Sequence, residues 1–167
     1  MPKPATLHLL CGKIASGKST LAAQLSRTSD TVLLIEDHLL ASLYPGEIKT
    51  LPDYARCAAR LREAMGPVVI DLLRAGMSVV LDFQANTPAA RAWMRGLFEG
   101  ADAHHRLHYL CPSDDTCKVR LRARNVKGTH PYQVSDVEFD MFSSYFVPPA
   151  ESENFEVVTY GGSEPLA

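Results

Sequence analysis

The chain has 167 residues, 46% hydrophobic and 22% charged, an ordinary composition for one globular domain spanning 1–167 with a core of its own. Its 17 basic and 19 acidic residues leave a net charge of −2, which argues against a broad electrostatic footprint for long nucleic acid. No apolar run approaches the roughly 18–20 residues of a membrane span, and Met1-Pro2-Lys3-Pro4 leaves no room for a signal peptide, so a cytoplasmic chain without a membrane partner is expected.

The first predicted strand, 5–11, runs into Gly12-Lys13-Ile14-Ala15-Ser16-Gly17-Lys18-Ser19, a complete G-x-x-x-x-G-K-[ST] pattern. A helix-competent stretch, Thr20-Leu21-Ala22-Ala23-Gln24-Leu25, leaves it. Strand, loop and helix are the context this pattern requires. Gly12 and Gly17 let the backbone turn tightly, so that consecutive N–H groups from Gly12 through Ala15, Ser16 and Thr20 can point at phosphate oxygens. Lys18 would reach the β- and γ-phosphates and the Ser19 hydroxyl would sit on Mg²⁺, so a nucleoside triphosphate is the expected ligand.

The second strand, 31–36, ends in Glu36-Asp37, and Tyr44-Pro45-Gly46-Glu47 reads as a turn placed to line an acceptor pocket. A long helix over roughly 52–75 would bury Ala58, Leu61, Met65, Val68, Val69, Leu72 and Leu73, with Pro67 kinking or breaking it. The third strand, 78–83, ends Val79-Val80-Leu81-Asp82, and Thr87-Pro88 opens a helix whose Trp93, Met94, Leu97 and Phe98 form a packing face. His104, His105 and His108 surround the start of the fourth strand, 106–111; without a neighbouring ligand set they read as structural rather than metal-binding. Ser113 with Asp114 and Asp115 starts an arginine-rich helix, and Ser135-x-x-Glu138 is a capping box for a helix that stops before Pro148-Pro149. The patternless segment Asn125–Val134 between them is a candidate lid, which with the arginines covers about 120–134. A last strand is expected over 155–160. Runs apolar on both faces alternating with helices indicate an α/β domain in three layers. Cys11, Cys57, Cys111 and Cys117 lack C-x-x-C spacing and read as small core residues.

Strand ends deliver the functional groups of such a sheet. Asp82 fits the Walker B role of holding Mg²⁺, and Asp37 could accept a proton from a hydroxyl attacking the γ-phosphate, with Glu36 as the alternative base. Arg120 and Arg124 share a helix face and could neutralise charge on the transferring phosphoryl group, while Arg122 points elsewhere.

Together these residues resemble the small P-loop kinases grouped with polynucleotide kinase, zeta toxin, chloramphenicol phosphotransferase and gluconate kinase, and within that group the bacterial stand-alone ATP-binding kinases. The matching pieces are 12–20, Glu36-Asp37, Val79–Asp82 with Asn86, Arg120–Arg124, Phe146-Val147-Pro148-Pro149 and Glu153-Asn154-Phe155. The resemblance implies a P-loop NTPase fold with a five-stranded parallel sheet in the order 2-3-1-4-5, ATP with Mg²⁺, and transfer to a hydroxyl. It gives Asp37 the base role, Asp82 the metal-shell role, and Arg120 and Arg124 the lid role. Leu40 stands where polynucleotide kinase-like members often carry an arginine able to hold an acceptor phosphate, which points away from a polynucleotide and toward a small neutral alcohol.

Three readings stay open. The first is an ATP-dependent kinase of a small-molecule acceptor. The second is a nucleotide-dependent ATPase or switch acting on a protein partner, disfavoured by the lack of an obvious exposed apolar helix. The third is a kinase of polynucleotide 5′-hydroxyl ends.

Overall fold

The computed structural model describes residues 4–130 and 132–161. The apolar runs form five strands, β1 (Thr6–Cys11), β2 (Thr31–Ile35), β3 (Ser78–Gln84), β4 (His104–Cys111) and β5 (Val157–Gly161). All pair in parallel, in the order β2-β3-β1-β4-β5 that the sequence implied. β1 lies at the centre, and its Leu7, Leu9, Leu10 and Cys11 are fully buried because both sheet faces are covered. β4 starts two residues earlier than expected, at His104, and β5 starts two later, at Val157.

Among the described residues six α-helices flank the sheet: α1 (Lys18–Leu25), α2 (Glu36–Leu43), α3 (Leu51–Arg74), α4 (Pro88–Ala101), α5 (Asp114–Lys127) and α6 (Asp136–Ser143). The side-chain caps read from the sequence are present. Thr87 Oγ1 accepts from the Ala90 N–H at 3.1 Å, Ser113 Oγ from Thr116 at 3.2 Å, and Ser135 and Glu138 cap each other. A further capping box, Thr50 with Asp53, starts α3.

One face of the sheet carries the main core, in which Leu9, Leu81, Phe83 and Leu107 meet Leu40 of α2, Leu61 and Val69 of α3, and Met94 and Leu97 of α4. The other face packs Leu10, Val80 and Leu110 against Leu21 and Ala22 of α1. A third cluster joins Cys117 and Leu121 of α5 to Phe139 of α6. Trp93, Met94, Leu97 and Phe98 are packing residues as expected, with Trp93 stacked on Phe83 at 6.0 Å.

Two expectations for α3 need correction. The helix runs unbroken through Pro67, which lies on the exposed side where its ring and missing N–H meet solvent, while Cys57, Ala58, Leu61, Gly66, Val69 and Leu73 hold the buried stripe in place. Val68 is 45% exposed and outside that stripe; Met65 and Leu72 sit at its margins.

The register between β1 and β3 shifts after Leu9, which pairs with Leu81, so that Leu10 pairs with Gln84. That irregularity brings the Ala85 N–H to Leu10 O at 3.0 Å and sets the next residue, Asn86, beside Gly12. The glycine loop, the start of α2, Asp82 and the α5 arginines thus gather at the carboxyl edge of the sheet. Among the described residues no helix is long and apolar enough to cross a membrane.

Candidate active site

At that edge lies a cleft of about 980 Å³, walled by the glycine loop, Asp37, Asp82, residues 48–51, Arg120, Arg124, residues 132–134 and Phe146. The loop backbone is shaped for it. Gly17 has φ 102°, a conformation that L side chains rarely adopt, and Ala15 takes a left-handed φ of 60°. Gly12 is needed for space: a Cβ there would fall 2.5 Å from Ser16 Oγ and 2.8 Å from the Leu110 carbonyl oxygen. The first intrahelical bond of α1 runs from the Leu21 N–H to Gly17 O at 3.0 Å. The amides before it belong to a helix N-terminus, where Gly17, Lys18, Ser19 and Thr20 line the cleft.

Lys18 Nζ donates to the carbonyl oxygens of Gly12 at 2.5 Å and Lys13 at 2.8 Å. Burial lowers its pKa below the usual lysine value, while the charge of Asp82 pulls it back up. Ser19 Oγ donates to Asp82 Oδ2 at 2.9 Å. Burial raises the Asp82 carboxyl above the usual aspartate value, opposed by the Ser19 hydrogen bond and the Lys18 charge. Ser16 is buried with its Oγ unpartnered. Helix N-terminal amides, an ammonium held by two carbonyls, and a hydroxyl beside a half-buried carboxylate form a donor set that fits a polyphosphate with a hard divalent cation.

Asp37 stands in the first turn of α2, its side chain 30% exposed, with His130 Nε2 3.3 Å from Oδ2. Glu36, the alternative base, is 2% exposed and already engaged. It accepts from Tyr54 Oη at 2.5 Å and pairs with Arg62 at 3.5 Å, and burial pushes its carboxyl above the usual glutamate value despite those partners. Of the two carboxylates, Asp37 is the one open to a substrate.

Arg120 and Arg124 both face the cleft. Arg120 Nη1 donates to Ser16 O at 3.3 Å, and Arg124 Nε is buried without a hydrogen-bond partner. Burial lowers the Arg124 pKa, and the charge of Asp37 opposes that shift. Arg122 points away, 62% exposed and paired with Asp136. His130 lies beside Asp37, and Asn125 Nδ2 donates to Val134 O at 2.7 Å. Pro131, within the candidate lid, lies outside the described residues.

The turn at Tyr44–Glu47 does not line the cleft; residues 48–51 do, because Tyr44 is drawn into the main core. Leu40 is fully buried in that core, so its position does not face the cleft in this chain. The three histidines lie on β4. His105 stacks on Phe98 at 4.0 Å, His108 lies between His8 and Tyr160, and among the described residues no group of three or more His, Cys, Asp or Glu could bind an ion.

The sequence assigned no role to two residues that support the loop: Asn86 entered only as a matching piece of the resemblance, and Arg91 not at all. Asn86 pairs with both backbone polar groups of Gly12. Arg91, fully buried on α4, binds Glu153 at 2.7 and 3.1 Å and the carbonyls of Ala85 and Val147, each at 2.9 Å. An arginine in the first turn and a half of an amphipathic helix reads as a surface residue, and nothing local marks it otherwise.

A family model described as an AAA domain (AAA_33) matches residues 7–149. Among solved structures, a protein of Chloroflexus aurantiacus is 20% identical with a TM-score of 0.74, covering 96% of this chain and 86% of that one. The APS kinase of Mycobacterium tuberculosis, in complex with AMPPNP and APS, is 20% identical with a TM-score of 0.64, covering 95% and 90%. Kti12 of Chaetomium thermophilum, in complex with ADP-AlF₃, is 13% identical with a TM-score of 0.67, covering 92% and 89%. At these identities the likeness is one of fold. A search of curated proteins returns no sequence match.

Proposed function

The chain belongs to the AAA domain family whose model spans residues 7–149, and from that premise we propose that it is an ATP-dependent phosphotransferase acting on a hydroxyl of a small-molecule acceptor. The supporting observation is that one cleft holds a phosphate-binding loop and, across from it, an accessible carboxylate flanked by arginine. A hydrolase needs only to place water; a carboxylate beside a pocket walled by Ile48, Tyr54 and Tyr132 suits an organic alcohol.

Bound Mg-ATP supplies the phosphoryl group and the divalent charge that draws electrons from it. The loop amides and Lys18 hold the phosphates, Lys18 exchanging its bonds to Gly12 O and Lys13 O for phosphate oxygens. Ser19 and Asp82 hold the cation. Asp37 accepts the hydroxyl proton as the acceptor oxygen bonds to the γ-phosphorus, the γ-phosphorus–bridging-oxygen bond breaks, and ADP leaves. Arg120 and Arg124 balance charge on the phosphoryl oxygens, and the region of about 120–134 acts as a lid that excludes water. The single domain would work in the cytoplasm. A net charge of −2 supports a small acceptor over long nucleic acid. With Leu40 in the core, that position supplies no cation for an acceptor phosphate, which supports a neutral one.

A second reading, a nucleotide-dependent switch on a protein partner, has one observation in its favour, contrary to the expectation that no apolar helix is exposed. Val119 and Val126 of α5 are 63% and 89% exposed, and Val137 and Met141 of α6 78% and 45%. Transfer of label from γ-labelled ATP into pooled metabolites and short oligonucleotides, beside an Asp37→Asn control, decides between them. Label in one organic product that vanishes in the control supports the kinase. Label only in inorganic phosphate, unchanged by the control, supports the switch, and label on oligonucleotide ends supports the third reading.

A further inference from the structure

We propose that His130 is a positioning residue for Asp37, holding one carboxylate oxygen so that the other faces the acceptor hydroxyl; the proposal rests on the kinase reading above. Its Nε2 lies 3.3 Å from Asp37 Oδ2, across the gap between the 128–135 segment and α2. No other direct polar contact to this carboxylate is found among the described residues, so Oδ1 is free for substrate.

The other ring nitrogen decides which atom carries the proton. His130 Nδ1 accepts from the Tyr132 N–H at 3.1 Å and lies 2.9 Å from Tyr132 O. When Nδ1 accepts from the Tyr132 N–H it carries no proton, and the neutral ring then bears it on Nε2, toward Asp37. In the doubly protonated ring Nδ1–H turns to the Tyr132 carbonyl, and Nε2 is again protonated. The Tyr132 peptide thus serves both of these states of the ring, and in each the protonated Nε2 lies beside Asp37 Oδ2 as a charge contact. At 3.3 Å the contact is loose, as catalytic contacts commonly are before substrate binds.

His130 belongs to a different element from α2, and loss of this contact leaves the Asp37 side chain free to rotate. A carboxylate turned away by even about 1 Å can cost up to about 100-fold in rate.

The test measures label transfer from γ-labelled Mg-ATP into the metabolite pool by wild type, His130→Ala, His130→Gln, Asp37→Asn and the Asp37→Asn/His130→Ala double variant. Thermal midpoints establish that each is folded. His130→Ala is expected to lower transfer at saturating ATP by about 10- to 100-fold and leave the KM for ATP within about twofold. His130→Gln, which can offer an amide N–H at nearly the same reach, should recover most of that loss. In the double variant the His130 change should cost nothing beyond Asp37→Asn, since it acts through that carboxylate. Unimpaired His130→Ala, equal impairment of Ala and Gln, or additive losses in the double variant would each overturn the proposal while leaving the kinase reading intact. Wild type that transfers no label removes the kinase reading, and the proposal falls with it.

Discussion

Asn86 holds Gly12 by both ends of its side-chain amide: Oδ1 accepts from the Gly12 N–H and Nδ2 donates to the Gly12 carbonyl, each at 2.9 Å. The pairing imitates a strand ladder at the point where β1 gives way to the phosphate-binding loop, and it fixes the orientation of the amide. Asn86→Ala leaves a buried N–H unpaired and should cost about 1–3 kcal/mol in urea unfolding. Asn86→Asp keeps the acceptor but sets a carboxylate against the Gly12 carbonyl and near the phosphates. Its ATP affinity, read by titration calorimetry, should fall by a larger factor than that of Asn86→Ala. Equal affinities would mean that Asn86 only braces the fold.

Asp82 illustrates a cost accepted for function. Burial raises its carboxyl pKa despite Ser19 and Lys18. The native state therefore keeps this proton to higher pH than the unfolded chain does, and stability falls as pH rises from about 4 through the native pKa. Asp82→Asn removes that penalty while still accepting from Ser19. The nucleotide-free variant should melt higher than wild type at pH 7.5, with the gain shrinking toward pH 4, and Mg²⁺ should no longer strengthen its ATP binding. A lower melting temperature, or undiminished Mg²⁺ dependence, would contradict this account.

Arg91 ties the region after α6 to the base of the site. Its guanidinium joins Glu153, the Ala85 carbonyl and the Val147 carbonyl, and the Val147 N–H in turn donates to Asn86 O at 2.9 Å. Arg91→Met leaves Glu153 and two carbonyls without their donor and should cost about 3–5 kcal/mol in denaturant unfolding. Glu153→Gln should cost less, since Glu153 is 21% exposed and the amide oxygen still accepts. If the order is reversed, the pair is not what holds the segment.

The sheet order and the loop were legible because local pattern carries them: strands apolar on both faces, caps at Thr87, Ser113 and Ser135, and eight contiguous residues from Gly12 to Ser19. The Arg120 and Arg124 face followed from helical spacing alone. What stayed hidden depends on contacts distant in sequence. The Asn86 pairing needs a register shift at Leu9, 77 residues away, which no local pattern encodes. His130 lies in a segment without periodicity, and its nearness to Asp37 comes from tertiary packing. Pro67 was misread because its exposed position, not its presence, decides whether α3 continues.

His108 gives the fold a pH dependence of its own. It is 2% exposed, with Nε2 3.0 Å from His8 Nδ1 and Nδ1 2.8 Å from Tyr160 Oη. Burial first, then the neighbouring His8 and Arg106, pushes its pKa down from 6.5 to about 4. Between those values the unfolded chain binds a proton that the native state refuses, so stability is lost as pH falls below about 6.5, by up to about 1.4 kcal/mol per unit. His108→Gln can still bridge His8 and Tyr160 but does not titrate. Its unfolding free energy should therefore fall less steeply than that of wild type between pH 6.5 and 5, even if it starts lower at pH 7. Parallel curves would place the acid sensitivity on another group, with the Glu36 and Asp82 carboxyls excluded because their raised pKa values act in the opposite direction.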